Sequence, residues 1–242
     1  MRNGGVSVGV DGCKGGWLAV SLSAGQADVQ MYPTFRELFD AYDAGLILVD
    51  VPIGLVDSGD SGRSCDGEAR ALLRRPRRSS VFTPPCRPAL RESIYQSASA
   101  VNRERTGKGL TKQAFAIARK IREVDEFLRS DSRGRGLVRE VHPEVLFWAL
   151  NGRRPMTVRK SRVAGRVERL AVLGRYLPDS AAIVEKAMVD RNGHGYDRDD
   201  VIDALAAAVT ASLGFRRLKT LPARPPRDAY GLPMEMVYWE PG

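Results

Sequence analysis

The feature that most constrains the fold is a short apolar run that ends on a carboxylate, "LILVDVPIGL" at 46–55. Leu46–Val49 are all apolar, and such an unbroken run is typical of a strand covered on both faces. Asp50 follows directly and is separated from Pro52 by one valine. The sequence therefore indicates an α/β protein in which a buried strand carries Asp50 to the edge of a sheet.

A strand near the start of the sequence ends in the same way. The run 6–10 leads into Asp11, and a second strand begins at Trp17. The simple interpretation is turn chemistry, because Asp-Gly between apolar runs favours a hairpin. The other interpretation makes Asp11 one arm of a metal site. If the two strands are parallel neighbours, Asp11 and Asp50 lie at one sheet edge, where ligand sites of open α/β sheets form.

Further acids follow near the end of the sequence. The stretch "DRDDVIDALAAAVTASLG" predicts a helix that is acidic at its start and stops at Gly214. Asp200 and Asp203 are three residues apart and share a helix face. Glu144, in "EVHPEV", is a candidate fifth arm. Each acid alone could be a turn or cap residue. Together they favour a site for Mg²⁺ or Mn²⁺, because these cations take carboxylate oxygens and because gathered like charges repel without one.

Hydrophobic periodicity predicts the remaining elements. They are strands at 5–11, 16–22 and 27–32, a short helix after Thr34, a helix along 114–128, a strand, turn and helix along 136–150, and a helix along 161–177. We expect one domain, 1–242, in which 57–108 is a basic, loop-rich insertion and 220–242 an extended, Pro-rich tail. The composition of the insertion suits a substrate clamp, a lid or a dimer arm, so a homodimer is one possibility.

The chain is strongly basic, with a formal net charge of +9 and a pI near 9.8. Much of this charge lies in the predicted insertion, where "RRPRR" at 74–78 supplies Arg74, Arg75, Arg77 and Arg78. A basic stretch of this kind suits nucleic acid as a partner. A solvated surface with Arg-rich codon usage explains it equally well.

Nothing in the sequence predicts a membrane span, since no run of about 18 apolar residues occurs. The start of the sequence has no signal-peptide pattern, so we expect a cytoplasmic protein. The three cysteines form no CxxC pair and support neither a disulfide framework nor a zinc ribbon.

The motifs taken together resemble the ribonuclease H-like superfamily. In more detail, the chain resembles a family of predicted RNase H-like nucleases that is catalogued as a domain of unknown function. The resemblance runs from residue 9 to about 211. It is carried by "GVDGCKGGWLAV", "VDVPIGL", "RSCDGEAR" followed by "SSVFTPP", "GKGLTKQAF" with "IREVDEFL", "EVHPEVLFWALNG" and "DDVIDALAAAVTA".

The order of the acids is similar to that of Holliday-junction resolvases, which belong to the same superfamily. The resemblance assigns Asp11 to the first-strand acid, Asp50 to the fourth-strand acid, and Asp200 with Asp203 to a pair on the last helix. Those resolvases usually carry Glu at the fourth strand, where this chain has Asp50. The large basic insertion is also unlike a compact resolvase.

The resemblance implies two-metal hydrolysis of phosphodiester bonds. Asp11 would bridge two cations, and Asp50 and Asp203 would each hold one side. Asp200 or Glu144 would complete a shell. The two basic residues that the resemblance places near a non-bridging phosphate oxygen are Lys160 and Arg63.

Two other functions stay open. A nucleotide phosphohydrolase or ATPase of related fold would turn over ATP without nucleic acid. A non-catalytic nucleic-acid-binding protein would bind tightly and salt-sensitively with no metal dependence. Two histidines also stay open: His142 could serve a metal or water, or make a structural hydrogen bond, and His194 fits a surface loop better than a site.

Overall fold

The structure is a computed structural model, and it describes residues 5–42, 44–191, 193 and 195–240. The chain divides into two compact units. The first comprises Met1–Asp50, Gly136–Lys219 and Val237–Gly242, and the second comprises Val51–Arg135 and Thr220–Met236. Each unit is therefore assembled from separate stretches of chain. The predicted insertion, 57–108, lies inside the second unit; the expected single-domain organisation stays a prediction.

The described residues form seven strands and ten α-helices. The strands are β1 (Val6–Cys13), β2 (Gly16–Ser23), β3 (Gln26–Tyr32), β4 (Ala44–Val49), β5 (Val138–Glu140), β6 (Leu218–Leu221) and β7 (Met236–Trp239). The helices are α1 (Phe35–Ala41), α2 (Ser64–Arg77), α3 (Tyr95–Thr106), α4 (Lys112–Ala116), α5 (Ala118–Ser130), α6 (Ser132–Leu137), α7 (Pro143–Leu150), α8 (Val163–Leu173), α9 (Ser180–Val189) and α10 (Arg198–Ser212).

A five-stranded mixed sheet organises the first unit, with the order β3-β2-β1-β4-β5. The first three strands form an antiparallel meander, whereas β4 runs parallel to both β1 and β5. A separate two-stranded sheet pairs β6 with β7. The five-stranded sheet with its flanking helices confirms the predicted α/β class, and its strand order is compatible with a ribonuclease H-like arrangement.

The core of the first unit lies between this sheet and the helices that follow β5. In β4, Leu46–Val49 are at most 4% exposed, which confirms a strand covered on both faces. Helix α10 is buried along 201–211 and packs on β1, β2 and β4. Its alanines keep the helix close to the sheet, as their small size predicts.

Strand β1 is longer than predicted, and this changes the interpretation of Asp11. The strand continues to Cys13, and Asp11 pairs with Leu18 across the β1–β2 ladder. The turn lies at Lys14 and Gly15 instead. The interpretation of Asp11 as a turn residue is therefore wrong, because its backbone is part of a regular ladder.

Three other predictions need correction. The helix predicted along 114–128 is divided between α4 and α5, because Ile117 leaves helical geometry at φ −102° and ψ 3°. Helix α9 was not predicted at all. The tail, 220–242, was predicted as extended. Parts of it lie in the strands of the small sheet, but a turn closed by a bridge between Arg227 and Pro233 lies between those strands.

The second unit is held by a buried arginine. Arg87 is 5% exposed, and its guanidinium lies 3.1 Å from an Asp125 oxygen and 3.2 Å from an Asp57 oxygen. It also pairs with Asp228, whose side chain is fully buried. The ring of Tyr230 lies 4.6 Å from the guanidinium carbon. Arg87 thus joins 220–236 to the rest of this unit.

None of the helices in the described part of the chain combines the length and apolar character that crossing a bilayer requires.

Candidate functional site

The two strand-end aspartates occupy equivalent positions on neighbouring parallel strands. Val10 of β1 pairs with Val49 of β4, and each aspartate follows directly. The backbone N–H of Asp50 donates to the carbonyl of Val10 at 3.0 Å, which continues the ladder past the end of β4. Because side chains alternate along a strand, Asp11 and Asp50 share one face of the sheet.

Helix α10 covers that same face. Gly9, two residues before Asp11, lies directly under the helix: a Cβ there would fall 2.0 Å from the carbonyl oxygen of Ala204 and 2.2 Å from the nitrogen of Ala208. Asp203 precedes Ala204 and is 2% exposed. The close contact at Gly9 therefore brings Asp203 down toward the strand ends that carry Asp11 and Asp50.

The electrostatics show that these acids are close enough to interact. The pKa of Asp11 is raised well above its usual value, first by burial and then by the charges of Asp50, Asp203 and Asp200. Burial and the charge of Asp203 raise the pKa of Asp50 to about 7. Both effects have one cause, since negative charges in a poorly hydrated place disfavour each other. The structure thus places Asp11, Asp50, Asp200 and Asp203 near enough for their charges to act on one another.

Lys160 supplies a positive charge within this group. Its ammonium pairs with Oδ2 of Asp203, and Asp203 is the main reason that the pKa of Lys160 is raised. The same ammonium opposes the rise in the pKa of Asp11 and Asp50. The Lys160 side chain is 45% exposed, so it reaches the acids from the solvent side.

The second oxygen of Asp203 is in a different situation. Oδ1 is buried and has no hydrogen-bond partner among the described residues. A buried acceptor without a donor costs about 1–3 kcal/mol. This oxygen, together with the carboxylates of Asp11 and Asp50, is an all-oxygen donor set of the kind that hard divalent cations take. Metal binding by these three residues stays a prediction.

The side chain of Asp200 forms a hydrogen bond within its own helix cap. It accepts a hydrogen bond from the backbone N–H of Asp197 at 2.7 Å and completes a capping box at the start of α10. Burial raises its pKa, and its charge still acts on Asp11. The cap function considered for this residue is therefore present, next to the other acids.

Glu144 has a different partner from the one predicted. It pairs with Arg169, whose side chain is 1% exposed and which also donates to the carbonyls of Val158 and Gly165 at 3.0 Å. Arg169 was not a candidate, since nothing in the amphipathic pattern of its helix distinguishes it. A contribution of Glu144 to the carboxylate site stays a prediction.

The predicted nucleic-acid-binding arginines lie in the second unit and differ in exposure. Arg63 is 3% exposed, pairs with Asp66 at 3.8 Å and donates to the sulfur of Cys65 at 3.0 Å. Arg77 is also buried. The exposed members of the group are Arg74, Arg75 and Arg78. Contact with nucleic acid stays a prediction for all of them.

The structure describes one of the two histidines. His142 is the N-cap residue of α7, and its carbonyl accepts hydrogen bonds from the N–H groups of Val145 and Leu146 at 2.9 and 3.0 Å. His194 lies outside the described residues.

Comparison with known proteins gives one match. Residues 9–227 match the model of a family described as "Protein of unknown function (DUF429)". No curated protein and no solved structure matches the chain.

Proposed function

We propose that this chain, which belongs to the DUF429 family of proteins of unknown function, is a metal-dependent nuclease. Because the family description names no activity, the proposal is argued from the residues of the site. The chain would hydrolyse phosphodiester bonds in a structured nucleic acid. The observation that supports this most is the group formed by Asp11, Asp50 and Asp203, in which one buried oxygen has no donor in the part of the chain that the structure describes. The resemblance to RNase H-like nucleases, which share acids at these positions, adds to it.

The cofactor in this proposal is Mg²⁺ or Mn²⁺, held by Asp11, Asp50 and Asp203 with Asp200 beside them. When bound, such ions make a nucleophile from water at neutral pH and stabilise the leaving oxygen of a phosphodiester. The side chains have to be ionised to bind a cation. With a pKa of about 7, Asp50 reaches this state only near neutral pH in the metal-free protein.

Lys160 would act on the substrate side of the site. Its ammonium has three N–H donors, of which Asp203 takes one, and the side chain is half exposed. It can therefore donate to a non-bridging phosphate oxygen while it stays next to Asp203. The exposed Arg74, Arg75 and Arg78 would attract the phosphate backbone without regard to base sequence.

The test is a cleavage panel with the full chain in Mg²⁺ or Mn²⁺. Substrates are single strands, duplexes, RNA–DNA hybrids and four-way junctions. We expect cleavage by the wild type, at least 100-fold less by Asp11→Asn, and full activity in Asp28→Asn. Asp28 is a matched control because it is an exposed aspartate on the same sheet.

Three results would count against the nuclease. Full activity in Asp11→Asn would exclude the site. ATP turnover in the absence of nucleic acid would favour a nucleotide phosphohydrolase. If the wild type cleaves no substrate and calorimetry detects no Mn²⁺ binding, the carboxylates are not a metal site.

A further inference from the structure

The second unit contains a cavity that the proposed nuclease site does not use. Its volume is about 390 Å³, and all its lining residues belong to this one unit, within 56–113. Cavities of this size accommodate small organic molecules and cofactor fragments. A bare inorganic anion would leave most of the volume unfilled.

Part of the cavity lining is apolar. Val81 and Leu110 are 4% and 8% exposed and form a fixed wall with Pro84. Phe82 is partly exposed and adds an aromatic ring to the same lining. Such a surface suits a flat, weakly polar ring, since aromatic side chains stack on the faces of bases.

Two other lining residues carry positive charge on side chains that hydrogen-bond within this unit. Arg70 donates from Nε to the carbonyl of Val81 at 2.9 Å and from Nη2 to Oγ1 of Thr83 at 2.8 Å. These bonds use two of its five N–H groups. Lys108 donates to the carbonyl of Asp60 at 2.7 Å and has three donors in total. Each keeps N–H groups without an acceptor among the described residues, and cations of this kind suit a phosphate group.

We propose that this cavity binds a nucleoside monophosphate unit. Its base would lie against Phe82 and the apolar wall, and its phosphate would bind Arg70 and Lys108. The hydroxyl of Thr111 and the amide of Gln113, also in the lining, can bond to the polar edge of a base. A free nucleotide and a nucleotide turned out of a strand both present such a unit. This binding requires neither the metal nor the carboxylates of the first unit.

The experiment is calorimetry on the full chain in EDTA with AMP, GMP, CMP, UMP and orthophosphate. We expect at least one nucleotide to bind and orthophosphate to bind at least tenfold more weakly. Lys108→Gln should weaken nucleotide binding about tenfold or more, because a charge-assisted hydrogen bond is lost. Lys112→Gln is the matched control: it removes an exposed lysine four residues away that does not line the cavity.

A second variant tests the apolar side. Phe82→Leu should weaken nucleotide binding about tenfold through the lost stacking and leave orthophosphate binding unchanged. Unfolding curves establish that each variant is folded. Competition by an oligonucleotide distinguishes the two sources, since only a strand that can present an unpaired nucleotide should displace the monophosphate.

Two results would overturn the proposal. One is no binding of any nucleotide by the wild type at millimolar concentration. The other is equal affinity in the wild type, Lys108→Gln and Phe82→Leu. The outcome is separate from the nuclease proposal, because Asp11→Asn should abolish cleavage and leave nucleotide binding in EDTA unchanged.

Discussion

At the scale of single residues, the two oxygens of Asp203 show how the carboxylate site is balanced. One pairs with Lys160, and the other is buried with no hydrogen-bond partner among the described residues. Burial of several acids together is unfavourable unless positive charge offsets it. Lys160 provides part of that charge within the protein itself, and a bound cation would provide more.

Replacement of Lys160 tests this balance. In Lys160→Gln we expect the free energy of unfolding in EDTA to fall by about 1–2 kcal/mol, because the buried carboxylate of Asp203 loses its cation. The loss stays this small because Lys160 is half exposed and solvent already screens the pair. Addition of Mn²⁺ should recover more stability in the variant than in the wild type. Urea unfolding with and without Mn²⁺ measures both effects.

Lys219→Gln is the control, because Lys219 is an exposed lysine 4.0 Å from the carboxylate of Glu240. Surface pairs of this kind contribute little, so its loss should stay below about 1 kcal/mol. Equal stability of Lys160→Gln and the wild type, with and without Mn²⁺, would contradict the role of Lys160.

The raised pKa of Asp50 makes the stability of the protein depend on pH. This pKa of about 7 in the folded protein lies above the value of about 3.9 in an unfolded chain. Between these two values the folded state binds more protons than the unfolded state, so its stability decreases as pH rises. In EDTA, the free energy of unfolding should therefore fall from pH 4 to pH 7 through this group and change little above pH 7.

The check is urea unfolding in EDTA across this pH range, for the wild type and for Asp50→Asn. The variant cannot titrate at this position, so its decline should be shallower. If the free energy of unfolding has the same pH dependence in both proteins, Asp50 is not the group that titrates. A wild-type stability that rises from pH 4 to pH 7, with no such rise in Asp50→Asn, would also contradict a raised pKa at Asp50.

The sequence predicted that these acids meet, and the resemblance assigned Lys160 to the same site, but neither predicted the ion pairs Lys160–Asp203 and Arg169–Glu144. Asp11, Asp50 and Asp203 could be placed together because strand ends and helix faces follow from periodicity. Lys160 lies 43 residues before Asp203, and Arg169 lies 25 residues after Glu144. Contacts across such distances depend on tertiary packing, so no local pattern predicts them.

At the scale of elements, the contact between β1 and α10 determines where the acids lie. The helix approaches the strand so closely that Gly9 has no space for a side chain. The alanines of α10 indicated close packing in the sequence. The required glycine on the strand was not recognised, because glycine is also common in turns.

Gly9→Ala should therefore be severely destabilising. A Cβ at 2.0 Å from backbone atoms forces the helix away from the sheet, and we expect a loss of about 3 kcal/mol or more. Gly67→Ala is the control, since a Cβ there meets nothing within 4 Å and lies in helix α2. The control should be neutral or slightly stabilising in the same denaturation experiment. Equal stability of the two variants would disprove the close contact.

The helix boundaries show where sequence patterns stop being informative. The break between α4 and α5 at Ile117 has no Gly or Pro to mark it, and the apolar spacing continues across it. Periodicity reports which side faces a core, and this side is the same in both helices. It therefore predicted the buried face correctly and the continuous helix wrongly.

At the scale of the whole molecule, the arginine-rich middle of the chain belongs to a folded unit with its own core. The sequence indicated mainly loops there because Gly, Ser, Pro and Arg are frequent, with only short helical patches near 66–74 and 88–101. The structure contains the longer helices α2 and α3 at these places, with a small core formed by Cys86, Ala89, Ala98 and Leu110. The stretch 220–236 joins this unit through Arg87 and Asp228, a contact 141 residues apart that no sequence pattern predicts.

Replacement of Arg87 should unfold this unit preferentially. In Arg87→Met, the buried Asp125 and Asp228 lose their shared cation, and we expect a loss of about 3–5 kcal/mol. Arg91→Met removes an exposed arginine four residues away and should change stability by less than about 0.5 kcal/mol. Hydrogen exchange measured by mass spectrometry would show whether protection is lost within 51–135 and 220–236. Wild-type protection there would contradict the role of Arg87.

The division of both units between distant stretches has a consequence for synthesis on the ribosome. The second unit needs 220–236, and the first needs 237–240, which includes most of β7. Neither unit can close until these residues have left the exit tunnel. Nascent chains would then expose the sheet edge and the buried apolar strands for most of translation, so the yield of native protein should depend on chaperones that bind during elongation.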